Sequence, residues 1–179
     1  LYQSIALAAN EQAKGKGVMV VFSDGIYGGR DVQKISTCQT DAFDSKDFGG
    51  MGYMVDGVPY FYNDSVKCHT TETEFDVSSL KELPKVGVAY FTIDADPEIL
   101  DYYKESGVQG IVIAGAGSGC YSEQWNNKID ELAETGIPVV RCSRIGSGVI
   151  TQDDYFIGNI ARGNDLAPQK AATLLRLIL

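Results

Sequence analysis

The chain has 179 residues, 44% of them hydrophobic, and a net charge of −9 from 15 Lys and Arg against 24 Asp and Glu. That length fits one medium domain or part of a larger two-domain protein, and the apolar share allows a packed core. The negative charge argues against nucleic acid or an anionic membrane surface as partner, and no apolar run approaches the ~18 residues that span a bilayer.

The chain opens on Leu1-Tyr2-Gln3, without Met, a basic region or a signal-like core, so further sequence is expected upstream. From Leu1 to Lys14, the spacing of Leu1, Ile5, Ala8 and Ala9 predicts a helix that stops at Gly15 and Gly17. Val18-Met19-Val20-Val21-Phe22 is a continuous apolar run and predicts a strand covered on both faces, ended by a turn at Ser23-Asp24-Gly25. Arg30 to Thr40 reads as polar and extended. Tyr53-Met54-Val55, Asp56-Gly57 and Val58 to Tyr62 predict a hairpin with a two-residue turn.

Composition changes between Asn63 and Lys85, which is rich in Ser, Thr and acidic residues and reads as an ordered linker. A second pattern follows. Val86 to Phe91 predicts a strand. Asp96-Pro97 caps and starts a helix through Glu105, closed by Gly107. Ile111 to Ala114 is the next strand, and Ser122 opens an amphipathic helix carrying Trp125, Ile129 and Leu132 that Gly136 ends. Val139-Val140 marks a third strand, and Pro168 opens a last helix to Leu179. Strands alternating with helices through short connections imply a parallel sheet with right-handed crossovers. Ligands in such sheets sit beyond the carboxyl ends of the strands, which directs attention to the loops after Phe22, Phe91, Ala114 and Arg141.

Two segments could carry chemistry. Gly115-Ala116-Gly117-Ser118-Gly119-Cys120 follows a buried strand, and its glycines permit close approach of backbone to a ligand. Their alternation does not fit G-x-G-x-x-G, so a dinucleotide is excluded and a small molecule is not; a tight strand-to-helix turn is the alternative. Gly29-Arg30-Asp31-Val32-Gln33-Lys34 gathers two cations and a carboxylate, and Lys34 could relay protons if its surroundings lower its pKa; a solvated turn is the alternative. Asp153 and Asp154 form an acidic pair in a polar loop, with a solvated turn as the alternative to an acid/base couple, and Cys120 could be a nucleophile but has no assignable general base. The four cysteines, Cys38, Cys68, Cys120 and Cys142, have no Cys-x-x-Cys spacing. With His69 as the one histidine, this argues against a zinc site. Two disulfides and buried small hydrophobes both remain open for them.

Many segments, in order along the whole chain, resemble the type II L-asparaginase family. They include Gly29-Arg30-Asp31-Val32-Gln33-Lys34, Lys67-Cys68-His69-Thr70, Leu83-Pro84-Lys85-Val86-Gly87, Ala114-Gly115-x-Gly117-x-Gly119, Val139-Val140-Arg141-x-Ser143-Arg144, Thr151-Gln152-Asp153 and Pro168-Gln169-Lys170-Ala171. The resemblance implies an α/β fold: residues 1–62 end an N-terminal α/β domain, 63–84 are a linker, and 85–179 are a smaller C-terminal parallel-sheet α/β domain. It implies hydrolysis of L-asparagine, with L-glutamine as a second substrate, through a threonine acyl-enzyme whose threonines and partner aspartate lie upstream of Leu1. Lys34 becomes the catalytic proton-relay lysine. Ser118, Cys120, Asp153 and Asp154 become substrate-binding residues given to a neighbouring subunit. Two departures from the pattern stand out: Cys120, where many members carry asparagine or serine, and Tyr155, near the place of a family glutamate in a shortened loop. No metal or cofactor is implied. A homotetramer built as a dimer of dimers, together with the upstream portion, and a periplasmic or secreted location complete the expectation. A related α/β module that binds an amino acid without turnover is the competing reading.

Overall fold

Tyr2–Ala8 form helix α1. The helix expected over Leu1 to Lys14 is shorter because Asn10 turns extended and its side chain accepts from the Gln12 N–H, starting a separate 3-10 turn at Glu11–Ala13. Strand β1 (Met19–Phe22) pairs antiparallel with β2 (Gly25–Gly28). Ser23 (φ 44°) and Asp24 (φ 65°) both lie in the left-handed region, as the two-residue hairpin turn requires. Beyond them come β3 (Gln33–Lys34), β4 (Phe43–Asp44), β5 (Gly52–Val55) and β6 (Val58–Phe61). β3 pairs with β4, and the other four strands form one sheet in the order β1-β2-β5-β6. These elements belong to the first of two compact units, Leu1–Glu74 and Phe75–Leu179; the computed structural model describes residues 1–45, 47–152, 156 and 160–179.

The β5–β6 hairpin turns on Asp56 (φ 50°) and Gly57 (φ 78°), as expected. β1 departs from expectation: all four of its residues are half-buried rather than covered on both faces. It is an edge strand among the described residues, and a run of apolar residues does not reveal how many neighbours a strand has. The core of this unit is small, built on Leu7, Ile26, Met51 and Met54. Pro59, which cannot donate to a ladder, lies on β6 at the other edge of the sheet.

Between Asn63 and Lys85 the sole regular element is a 3-10 turn at Thr70–Glu72. The second unit then alternates β7 (Val86–Tyr90), α2 (Ile99–Glu105), β8 (Gly110–Gly115), α3 (Glu123–Glu134), β9 (Val139–Ser143), β10 (Ile160–Arg162) and α4 (Pro168–Ile178). Its sheet runs β10-β9-β8-β7 with every pair parallel. Local chemistry sets the helix ends. Ser122 accepts the Trp125 N–H at the start of α3, the Asp96 carboxylate accepts the Glu98 N–H before α2, and Gly107 (φ 74°) follows α2.

Central strand β8 is buried at all six positions. Its residues alternate between two cores. Ile111 and Ile113 pack with Leu100 of α2 and Trp125, Ile129 and Leu132 of α3. Val112 packs with Val86, Cys142 and the α4 residues Ala171, Ala172 and Leu175. Period-2 alternation therefore buries both faces of one strand under helices, each large apolar side chain contributing roughly 1.5–3 kcal/mol. All parallel strands leave their carboxyl ends at one edge, which is where the loops of interest gather.

Candidate active site

Three connections meet at the carboxyl edge of the parallel sheet. After β8 the chain makes a tight loop in which Ala116 and Cys120 exchange backbone hydrogen bonds of 2.8 and 2.7 Å. Glycine is required here for two reasons. Gly117 (φ 51°) and Gly119 (φ 83°) are left-handed, and a Cβ on Gly115 would lie 2.4 Å from backbone atoms of Gly119. The loop that leaves β9 closes onto this one. Ser118 Oγ lies 3.1 Å from Thr151 Oγ1 and accepts the Thr151 N–H at 3.3 Å. Ser143 Oγ donates to the Gly117 carbonyl, and the Arg144 N–H donates to the Gly115 carbonyl at 2.9 Å. Arg144 Nη1 reaches the Phe91 carbonyl after β7 at 2.9 Å, so all three connections are joined.

Arg141 lies beneath this arrangement. It is only 2% exposed, on β9, where the run Val139-Val140-Arg141-Cys142 would suggest an apolar residue. Its Nη1 donates to the Ser118 carbonyl at 3.0 Å and its Nη2 to the Thr151 carbonyl at 2.9 Å. The Phe156 ring covers the guanidinium at 4.0 Å. In the sequence Arg141 stands within a family motif that gives it no role, and the one signal of its importance is a charged residue inside an apolar strand.

Of the residues singled out from sequence, Ser118 is tied to Thr151, and Cys120 is an exposed free thiol at the end of the glycine loop. Asp153 and Asp154 lie outside the described residues. None of the four cysteines forms a disulfide, and Cys142, alone among them, is buried. Burial pushes its thiol up to about 12, so it stays neutral and inert.

Lys34 belongs to the other unit. It is exposed on β3, opposite Phe43 of β4, and its Nζ lies 5.2 Å from the Phe43 ring centroid. That ring packs in turn on Phe22, the last residue of β1, at 4.8 Å. Arg30 and Asp31 of the same segment pair with each other at 2.7 Å. In the same unit, burial and then the carboxylates of Asp41 and Asp44 raise the pKa of the Tyr27 hydroxyl. His69 is half-buried, its Nδ1 3.3 Å from Thr70 Oγ1. Among the described residues no group of three or more His, Cys, Asp or Glu could hold a metal ion.

The chain is similar to known proteins over its whole length. Residues 85–179 match the family model of the glutaminase/asparaginase C-terminal domain and residues 1–67 the asparaginase N-terminal model. It is 39% identical over 180 residues to L-asparaginase 2 of Bacillus subtilis, covering 100% of this chain and 48% of that protein. It is 36% identical over 183 residues to a probable periplasmic L-asparaginase of Haemophilus influenzae, covering 100% of this chain and 52% of that protein. A crystal structure of a probable cytoplasmic L-asparaginase from Campylobacter jejuni superposes with a TM-score of 0.91 at 40% identity, over 99% of this chain and 58% of that one. The chain thus spans about half the length of the curated relatives it matches. With family models matched in both of its units, the chain belongs to the glutaminase/asparaginase family.

Proposed function

We propose that this chain is part of an L-asparagine amidohydrolase that converts asparagine to aspartate and ammonia and also accepts glutamine. The single observation that carries the reading is the family match along the entire chain, N-terminal model and C-terminal domain in order. In this reading a threonine hydroxyl, from the part of the family pattern that this chain does not cover, attacks the side-chain amide carbon. A C–O bond forms, the C–N bond breaks with a proton delivered to the leaving ammonia, and water then hydrolyses the ester. Lys34 serves the proton relay. Its exposure on a strand end, with its ammonium against an aromatic face, leaves it free to meet a partner group.

The 115–120 loop and the loop after Thr151-Gln152 would complete a neighbouring subunit's site, Ser118, Cys120, Asp153 and Asp154 contacting substrate. Residues 1–62, 63–84 and 85–179 would be domain end, linker and domain, in a homotetramer whose interfaces bury ~2,000 Å² or more each. The location is proposed as periplasmic or secreted, like the Haemophilus relative and unlike the Campylobacter one; cell fractionation decides between them.

The test is ammonia release from L-asparagine by the full-length protein. Turnover with one aspartate per ammonia supports the reading. Binding of asparagine without ammonia would replace it with the amino-acid-binding module. The upstream sequence should carry two threonine motifs, and the 179-residue segment alone should release no ammonia.

A further inference from the structure

Arg141 carries an inference about how the substrate-contacting loops are held, and it rests on the reading just given. A guanidinium taken out of water must have its donors satisfied, or the burial costs several kcal/mol. Here the two terminal nitrogens reach two different loops: the Ser118 carbonyl after β8 and the Thr151 carbonyl after β9. The rest of the side chain is fixed as firmly. Phe156 lies on the guanidinium face at 4.0 Å, and the loop backbone rests on the stem, since a Cβ on Gly119 would meet Arg141 Cγ at 3.0 Å and Ile150 Cδ1 at 3.2 Å. The strand below is anchored too, because the Arg141 carbonyl accepts the Gly163 N–H at 2.8 Å.

We propose that Arg141 is a positioning residue that sets the spacing of the two substrate-contacting loops without touching substrate. The planar fork reaches both carbonyls at once, and an ammonium on a flexible stem cannot span them in the same way. With the fork in place, the Ser118 and Thr151 hydroxyls meet at 3.1 Å and the edges of both loops are presented as one surface. Without it, each loop keeps its own turn geometry and the surface loses its register. The ligand class that such a surface serves is the amino acid of the proposed reaction, whose α-amino and carboxylate groups need fixed partners. Bond making at the amide carbon lies elsewhere, so the effect falls on binding.

The test uses the full-length, assembled enzyme with Arg141→Lys and Arg141→Met. Both should raise KM for asparagine, and the Kd for aspartate, by at least about tenfold, the equivalent of one lost charge-assisted hydrogen bond. kcat should stay within about threefold. A folded variant with KM and aspartate affinity unchanged overturns the proposal, as does a fall in kcat with KM unchanged. If neither arginine variant folds, Phe156→Leu decides, since it leaves both carbonyl bonds possible and removes the ring. A severalfold rise in KM supports the proposal, and unchanged constants overturn it. Hydrogen exchange at the Thr151 amide reads the same latch without turnover. Arg141→Lys should speed it at least about tenfold, and unchanged exchange overturns the latch even if the wild-type protein releases no ammonia. In that last case the amidohydrolase reading fails separately.

Discussion

In the Phe75–Leu179 unit the central strand β8 is buried at all six positions under helices on both faces, whereas in the Leu1–Glu74 unit β5 alternates buried and exposed residues and leaves Tyr53 and Val55 in solvent. The candidate site residues follow the same division. Ser118 sits in a loop tied by side-chain and backbone bonds to β9 and to the connection that follows it. Lys34 stands on a two-residue ladder with its ammonium over one ring. A deep core and latched loops suit a surface that must fix a ligand's orientation, because precise contacts need rigid support. A lysine that moves protons needs reach and an adjustable charge rather than enclosure. Under the proposed function, the difference predicts that variants of the latched loops act on binding and variants at Lys34 on the chemical step.

The largest expected effect tests that division from the side of Lys34. In the full-length protein Lys34→Met should lower kcat by ~10²–10⁴-fold, the usual worth of a general acid–base group, with KM changed far less. Its apolar stem is preserved, so the fold should persist. A solvated surface charge would change kcat by no more than about twofold. If the folded variant keeps its kcat and loses affinity, the two units do not divide binding from chemistry.

What could be read in advance follows physical lines. The β5–β6 hairpin was legible because Asp56-Gly57 suits a left-handed two-residue turn between alternating strands. The parallel unit was legible because its strands are apolar runs and Ser122, Asp96 and Gly107 punctuate its helices. Strand β2 escaped because Gly25-Ile26-Tyr27-Gly28 has no period and two glycines, and β10 because Ile160-Ala161-Arg162 is too short to show one. The glycine loop was visible as a candidate from spacing. The Arg141 bridge was not, since it joins Ser118 and Thr151 across 33 residues of chain and exists only once β8 and β9 lie side by side.

Next in size is packing. Ile113→Ala, in the larger core, should cost about 2–5 kcal/mol in denaturant unfolding, as cavities in well-supported cores do. Met54→Ala, in the four-residue core of the other unit, should fall near the low end of that range because its thinner surroundings can collapse. Equal costs would mean that the contrast in burial does not reach the energetics.

Cys142 gives a smaller effect with a defined sign. Its thiol is raised from the ordinary 9.0 to about 12 by burial. An unfolded chain therefore releases this proton at lower pH than the folded one. The contribution is complete below about 9 and is lost as pH rises towards 12. Cys142→Ala should flatten the fall in stability over that window, and a thiol reagent at pH 8 should label Cys38, Cys68 and Cys120 but not Cys142 in the native protein. Labelling of Cys142 without unfolding would show that the sheet of this unit opens more readily than its burial implies.

The smallest effect probes the exposed face of the other unit. Val55 and Val58 are register partners beside the hairpin turn, 52% and 45% exposed, and Tyr53 and Tyr60 pair behind them on the same hairpin. Val→Thr keeps the β-branched shape and strand preference while adding a hydroxyl that water can satisfy. In this 179-residue chain, Val55→Thr and Val58→Thr should each change stability by no more than about 0.5 kcal/mol, as surface substitutions do. The same pair measured in the full-length protein turns the comparison into a test of what this face meets. If the cost stays below about 0.5 kcal/mol there, the hairpin is a solvent surface and the unit is thin by design. If it rises to ~1–3 kcal/mol, the range for a buried hydroxyl left unpaired, the face is covered in the whole protein, and the contrast between the units belongs to this chain alone.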